Sequence, residues 1–197
     1  MAAPFLLGKR VMLRAVEESD AETYVKWLNH PDMRETLLVR FPMSLRQEKE
    51  WIANLSEKGS RRNLAMAIER RSDGKHIGGV GLHEIDWVQG RAMTGSFICP
   101  ASLRGKGYGT EAKGLLLDYA FGELGLHSLW GVAFEGNEAS VRALEKQGYK
   151  RSGRFRKAYL VKGRWVDGIY LDILREEWER MRRTESKKPT THRVKEK

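Results

Sequence analysis

The sequence predicts an α+β domain, and three features of its pattern carry that prediction. Between Asn63 and Cys99, three runs alternate apolar and polar residues with turn residues between them, as an antiparallel meander requires. Further on, the apolar run GSFIC passes through the loop PASLRGKGYG into TEAKGLLLDYAF, whose apolar spacing is helical, and then to a second apolar strand, SLWGVAFE. Finally, YKRSGRFRKAYLVKGRWVDGIYLDIL reads as two long strands joined at a Lys-Gly turn. With 197 residues, 41% of them hydrophobic, the chain can bury one core, expected over residues 1–180, with a basic and disordered tail at 181–197.

The elements follow in order. RVMLRAV (10–16) alternates like a half-buried strand. Ser19 or Asp20 can cap a helix whose Ala21, Tyr24, Val25, Trp27 and Leu28 share a face, and Pro31 is expected to stop it. Ser44, with Gln and Glu in the following turn, opens a second amphipathic helix that should end at Gly59, and the two helices form one arm. The meander is NLAMAIER, then HIGGVGLHEIDW after the turn SDGK, then AMTGSFIC running into Pro100. The helix after the glycine loop should close near Gly125, NEASVRALEKQG is a helix capped by Asn137 and closed by Gly148, and REEWERMRR is a short last helix.

Charge and cysteine usage narrow the classes. Lys and Arg number 36 against 26 Asp and Glu, a net +10, but residues 182–197 hold seven cations and two anions and supply +5 of it. The remaining +5 suits an enzyme with an anionic ligand and is too modest for a nucleic-acid protein, unless the tail binds one. A single cysteine excludes an internal disulfide and a cysteine-cluster zinc site, and five scattered histidines show no ligand spacing, so no metal is expected. No run approaches the roughly 20 apolar residues of a membrane span, so a cytoplasmic protein, monomer or homodimer, is expected.

The stretch LRGKGYGTEA places glycines at 105, 107 and 109 where a loop feeds a helix. Free N–H groups and the positive dipole end make such a place a phosphate site, and absent Cβ atoms let a diphosphate approach. Gly109 is followed by Thr110 rather than Lys, so the nucleotide-triphosphate P-loop fails, and the dinucleotide spacing fails as well. What stands is Arg104-x-x-Gly107-x-Gly109, with Asn137-x-x-Ser140 beginning 28 residues later and Gly148-Tyr149 after that. In this order the motifs resemble the GNAT superfamily of acyl-CoA N-acyltransferases over about residues 10–178. The resemblance implies an α/β/α sandwich around a mixed, mostly antiparallel sheet of about seven strands, with acetyl-CoA as donor. Within the superfamily, VMLRAVEESDAETYVKWLNHPDMRE and the last hairpin resemble the RimJ/RimL group of protein N-terminal acetyltransferases.

The resemblance also assigns roles. The pantetheine arm lies along GSFIC, pairing with the backbone at Phe97, Ile98 and Cys99, with the Ile98 N–H as donor to the thioester oxygen. The diphosphate is held by Arg104, Gly105, Lys106, Gly107, Tyr108, Gly109 and Thr110. Asn137 binds the pantetheine amide, and Arg142 and Lys146 are candidates for the 3′-phosphate. Cys99 reads as a buried side chain, since nothing beside it would depress its pKa. Glu84 is the expected general base, with Asp86 in reserve and on the same strand face. Many relatives carry a tyrosine acid seven residues after the asparagine; here that position is Leu144, which leaves Ser140 as proton donor.

Acceptor-site candidates are Trp27, Asn29, Asp86, Trp87, Tyr159, Trp165 and Asp167, with Asp167 able to hold a cationic amine. The acceptor expected is the N-terminal α-amine of a protein; a polyamine or aminoglycoside is the alternative enzyme reading. A non-catalytic coenzyme A-binding or RNA-associated module, with the tail doing the binding, is the alternative of another class.

Overall fold

A computed structural model describes residues 3–37, 39–56 and 62–186. One sheet of eight strands organises them: β1 (Leu6–Leu7), β2 (Val11–Ala15), β3 (Leu64–Arg70), β4 (Lys75–Asp86), β5 (Arg91–Ile98), β6 (Ser128–Phe134), β7 (Lys150–Val161) and β8 (Arg164–Leu174). Their order is β1-β2-β3-β4-β5-β6-β8-β7, antiparallel except between β5 and β6. The strand beyond the expected seven is β1, two residues that pair with Leu13 and Met12.

Alternation along β3 sends Met66 and Ile68 into the larger core and Ala65 and Ala67 toward a smaller one, so the sheet is covered on both faces. On the smaller side lie α1 (Ala21–Leu28) and α3 (Leu45–Ser56), contributing Ala21, Tyr24 and Ile52. On the larger side, α4 (Tyr108–Gly122) supplies Ala112, Leu116, Leu117 and Ala120, α5 (Glu138–Lys146) supplies Val141 and Leu144, and α6 (Arg175–Ser186) supplies Trp178.

α3 begins as its sequence predicts. The Ser44 hydroxyl accepts from the Gln47 N–H at 3.2 Å while Gln47 Oε1 accepts from the Ser44 N–H at 3.0 Å, a reciprocal cap. Ser44→Ala is expected to lower the melting temperature by a few degrees, corresponding to about 1 kcal/mol, in a thermal melt. The predicted end at Gly59 lies outside the described residues.

Three boundaries differ from expectation. α1 does end before Pro31, at Leu28, but Pro31 then opens a further helix, α2 (Pro31–Leu37), because proline suits the first helical position, where its missing N–H has no acceptor to lose. α4 starts at Tyr108, inside the glycine run, and stops at Gly122, before the left-handed turn at Gly125. α6 runs through Ser186, three residues beyond the REEWERMRR run. Trp178 donates to Asp118 at 3.0 Å and Arg182 pairs with the same carboxylate at 2.7 Å, which docks the helix on α4. Residues 187–197 of the tail lie outside the described residues. No described helix is long and apolar enough to cross a membrane.

Candidate active site

β5 and β6 pair only from Arg91 to Met93 with Ser128 to Trp130. Beyond Met93 they part, while β5 continues on β4 through Ile98 and β6 continues on β8 through Phe134. The Thr94 hydroxyl marks the fork, bonding the Trp130 carbonyl at 3.2 Å and the Tyr149 hydroxyl at 2.8 Å. Past it the edges of β5 and β6 face each other across a cleft of about 880 Å³. Backbone groups from Thr94 to Ile98 that point away from β4 have no strand opposite, so an extended ligand can pair there as an added strand.

The glycine loop forms one mouth of the cleft. Gly105 (φ 72°) and Gly107 (φ 84°) are left-handed, which only glycine adopts cheaply, and Gly107 is the residue that enters α4. The N–H groups of Tyr108, Gly109 and Thr110 then begin a helix with no intrahelical acceptor. Arg10 braces this turn: its Nη1 donates to the Lys106 carbonyl at 2.9 Å, while its N–H and Nε donate to the Glu111 carboxylate at 2.7 and 2.9 Å. Burial alone would raise the pKa of Glu111, but these donors outweigh it and hold the carboxyl below its ordinary range. The acid of the first turn is thereby drawn onto Arg10. Arg104 closes the loop from the other side, donating to the Ile98 carbonyl at 3.0 Å and touching Met33 Sδ at 2.8 Å.

Most of the expected coenzyme residues meet here. Phe97, Ile98, Arg104 and Gly105 line the cleft, as do Gly107, Tyr108, Gly109 and Thr110, and Asn137, Ser140 and Arg142 line it from α5. Asn137 is at the same time the cap of α5, its Oδ1 accepting from the Ser140 N–H at 3.2 Å, which leaves its amide NH₂ for a ligand. Two expectations fail. Lys106 is exposed and does not line the cleft; Cys99 is turned into the core, and its N–H is consumed by the Ile77 carbonyl at 2.9 Å. Burial raises the Cys99 thiol pKa, in keeping with a packing role.

The acceptor-side expectations fare worse, since only Tyr159 lines the cleft. Trp27 packs edge-on against His76 and Phe97, with centroids at 4.8 and 6.0 Å. Asn29 clips the backbone of Met43, with bonds of 2.8 and 2.9 Å. Asp86 accepts from the N–H groups of Val88 and Gln89 at 3.1 and 3.0 Å, making a turn of its carboxylate. Trp87 and Trp165 are exposed away from the cleft. Asp167 is occupied by the Lys157 N–H at 2.7 Å and the Arg154 guanidinium, which hold it below the usual carboxylate range and leave no free charge for an amine.

Tyr159 reaches the cleft because β7 is irregular between Phe155 and Tyr159, where Lys157 takes φ 48°. Burial first, and a hydrogen bond donated to Tyr170 second, push its hydroxyl up to about 12, so it stays protonated. Opposite it stand Met33, Thr36 and Leu37 of α2, tied to the hairpin by Glu35–Lys162 at 3.0 Å and by Arg40 to the Leu160 carbonyl. The sequence reading missed α2 as a cleft wall; proline followed by aspartate at Pro31-Asp32 is the start signal that could have shown it.

Glu84 is exposed and outside the cleft lining. Its backbone is left-handed at φ 52° in a β4 irregularity between His83 and Asp86, one residue past the His83–Met93 pair at the closed end of the fork.

The acetyltransferase (GNAT) domain family matches residues 10–150. The chain belongs to the GNAT acetyltransferase family. It is 28% identical over 91% of its length to the SPβ prophage-derived N-acetyltransferase YokL of Bacillus subtilis, covering 98% of that protein. It is 36% identical over 54% of its length to the putative ribosomal N-acetyltransferase YdaF of the same species, covering 58% of it. The fold matches the structure of spermidine N-acetyltransferase from Vibrio cholerae in complex with CoA and spermine, with a TM-score of 0.80 at 22% identity, covering 87% of this chain and 99% of that one. This GNAT domain is an N-acetyltransferase whose donor is acetyl-CoA, and the cleft suits that donor: open N–H groups at one mouth, a free strand edge along its length and cations around it.

Proposed function

We propose that the protein acetylates the α-amine of a protein or peptide. The observation that carries this reading is the charge of the cleft: among the described residues its lining holds Arg104, Lys113, Arg142 and Lys146 and no carboxylate. Arg104, Arg142 and Lys146, with Lys113 charged only in part because burial lowers its pKa, favour a donor that brings phosphates, and they give a polycationic acceptor nothing to pair with. An acceptor with one amine on an otherwise neutral backbone avoids that repulsion, and Met33, Leu37 and Tyr159 offer it an apolar wall. Kinship leans the other way, toward a polyamine, since besides YdaF the relatives include the spermidine N(1)-acetyltransferase of Escherichia coli and the fold matches the spermine-bound Vibrio cholerae enzyme.

In this reading the N–H groups opening α4 and the Arg104 side chain hold the diphosphate, and the β5 edge around Phe97 and Ile98 holds the pantetheine arm. Acetyl-CoA supplies an activated acyl group. Glu84, outside the cleft lining but one residue past the His83–Met93 pair where the strands part, takes the proton of the acceptor ammonium through water. Ser140, at the first turn of α5, donates to the departing sulfur.

The test is thiol release from acetyl-CoA against N-terminal peptides, spermidine and an aminoglycoside, with Glu84→Gln alongside. Peptides are expected to be turned over, and Glu84→Gln to lower kcat at least about 100-fold while the CoA Kd stays unchanged. Turnover of spermidine alone would overturn the acceptor; an unchanged kcat in the variant would overturn the base.

A further inference from the structure

α4 carries a lysine where its spacing asks for hydrocarbon. Leu116, Leu117 and Ala120 form its buried stripe, and Lys113 lies on the same stripe three residues before Leu116, only 3% exposed. It nevertheless lines the cleft, and it lies near enough to His83, the partner of Met93 at the end of the fork, to act on that imidazole. Among the described residues it makes no ion pair and no hydrogen bond, and no carboxylate acts on it. The titratable group coupled to it is His83 of β4, itself pushed down by burial and then by Lys113, with Glu84 acting the other way. Burial drives the Lys113 ammonium down to about 7. Near neutral pH a large share of Lys113 is therefore free amine, whereas a surface lysine is free on the order of one time in a thousand. The family's reaction consumes this kind of nucleophile.

We propose that the enzyme acetylates its own Lys113 from acetyl-CoA bound in the cleft, an inference that rests on the donor occupying that cleft. The Nζ lone pair forms a bond to the acetyl carbonyl carbon. The carbon–sulfur bond breaks with its electron pair going to sulfur, and the proton shed by nitrogen ends on that sulfur, so the products are acetyl-lysine and coenzyme A thiol. The amide carries no charge, so the modified side chain is freed from the desolvation cost that burial imposes on the ammonium. Modification also removes the remaining charge of Lys113 and adds an acetyl group to the cleft lining, so a modified chain binds the donor more weakly.

Carbon-13-labelled acetyl-CoA, incubated with the full-length protein without acceptor, tests this by peptide mass spectrometry; the isotope separates new label from acetylation acquired during expression. The expected result is label at Lys113 at least tenfold faster than at any other lysine, at a rate independent of protein concentration. The label is blocked by excess desulfo-CoA and absent at position 113 in Lys113→Arg and Lys113→Met. An unlabelled Lys113 while thiol release with an amine acceptor proceeds would overturn the proposal and leave the acceptor reading standing. Label that scatters over surface lysines, or a rate that scales with protein concentration, would also overturn it. Failure to bind CoA at all, read by calorimetry, would instead sink the assignment of the cleft, and this inference with it.

Discussion

Arg14→Met is expected to destabilise the protein by about 3–5 kcal/mol, a fall of roughly 10 °C in the melting temperature. The Arg14 side chain, 6% exposed, is forked onto Asp20 with bonds of 2.7 and 2.9 Å and onto Glu69 through Nε. Asp20 also accepts from the Glu17 N–H at 2.9 Å and lies 3.3 Å from His76 Nδ1. Removing the cation strands two buried carboxylates side by side. The pH dependence should then change sign. In the wild type, burial pushes the Asp20 pKa up, but Arg14 and the other donors overcome it and hold the folded pKa far below the ordinary carboxylate value. That contribution is full above the unfolded pKa of about 4 and is lost as pH falls through the folded value. In Arg14→Met, burial without the partner raises the folded pKa instead, so stability should rise as pH falls toward 5. Melts of both proteins between pH 5 and 8 check this, and parallel curves would refute it.

Gly107→Val is expected to leave the protein folded but weaken CoA binding about 100-fold by calorimetry. At φ 84° any side chain is strained, at about 1–2 kcal/mol, and a Cβ there would stand 2.8 Å from Arg10 Nη2. Arg10 is half exposed and can swing away, so the clash is relieved at the expense of the brace on the Lys106 carbonyl and Glu111. The first-turn N–H groups of α4 then lose their aim at the phosphates. Losing two charge-assisted hydrogen bonds, near 1.5 kcal/mol each, corresponds to the 100-fold effect. An unchanged Kd would mean that the diphosphate is bound elsewhere.

Much of this molecule was legible in its sequence because the signals were local. Alternation in NLAMAIER and HIGGVGLHEIDW marks strands wherever they end up in a sheet, Ser44 and Asn137 cap their helices with their own side chains, and the glycines of RGKGYG declare a backbone that must turn left-handed. The glycine-loop side of the cleft is built from such a contiguous stretch, so most of the residues expected there do line it. The errors there were Lys106 and Cys99, whose directions depend on Arg10 and on β4. The wall opposite is assembled from α2 and β7, and aromatic or acidic character said nothing of where those side chains point. Trp27 found His76 and Phe97, Asp86 its own turn and Asp167 its Arg154, because a packed or paired partner outcompetes an open cleft. Lys113 stood in the sequence at an apolar spacing, a visible anomaly whose meaning needed the neighbouring strands.

By itself the sequence determined the α+β class, the order of every strand but β1 and of every helix but α2, the glycine loop and the N-acetyltransferase family. Tertiary structure alone decided that β5 and β6 part after Met93, which carboxylates are spent on internal pairs, and that the cleft is left cationic. Periodicity, caps and glycine turns are read within a few residues, whereas a cleft's shape and charge are sums over residues as far apart in the chain as Met33 and Tyr159.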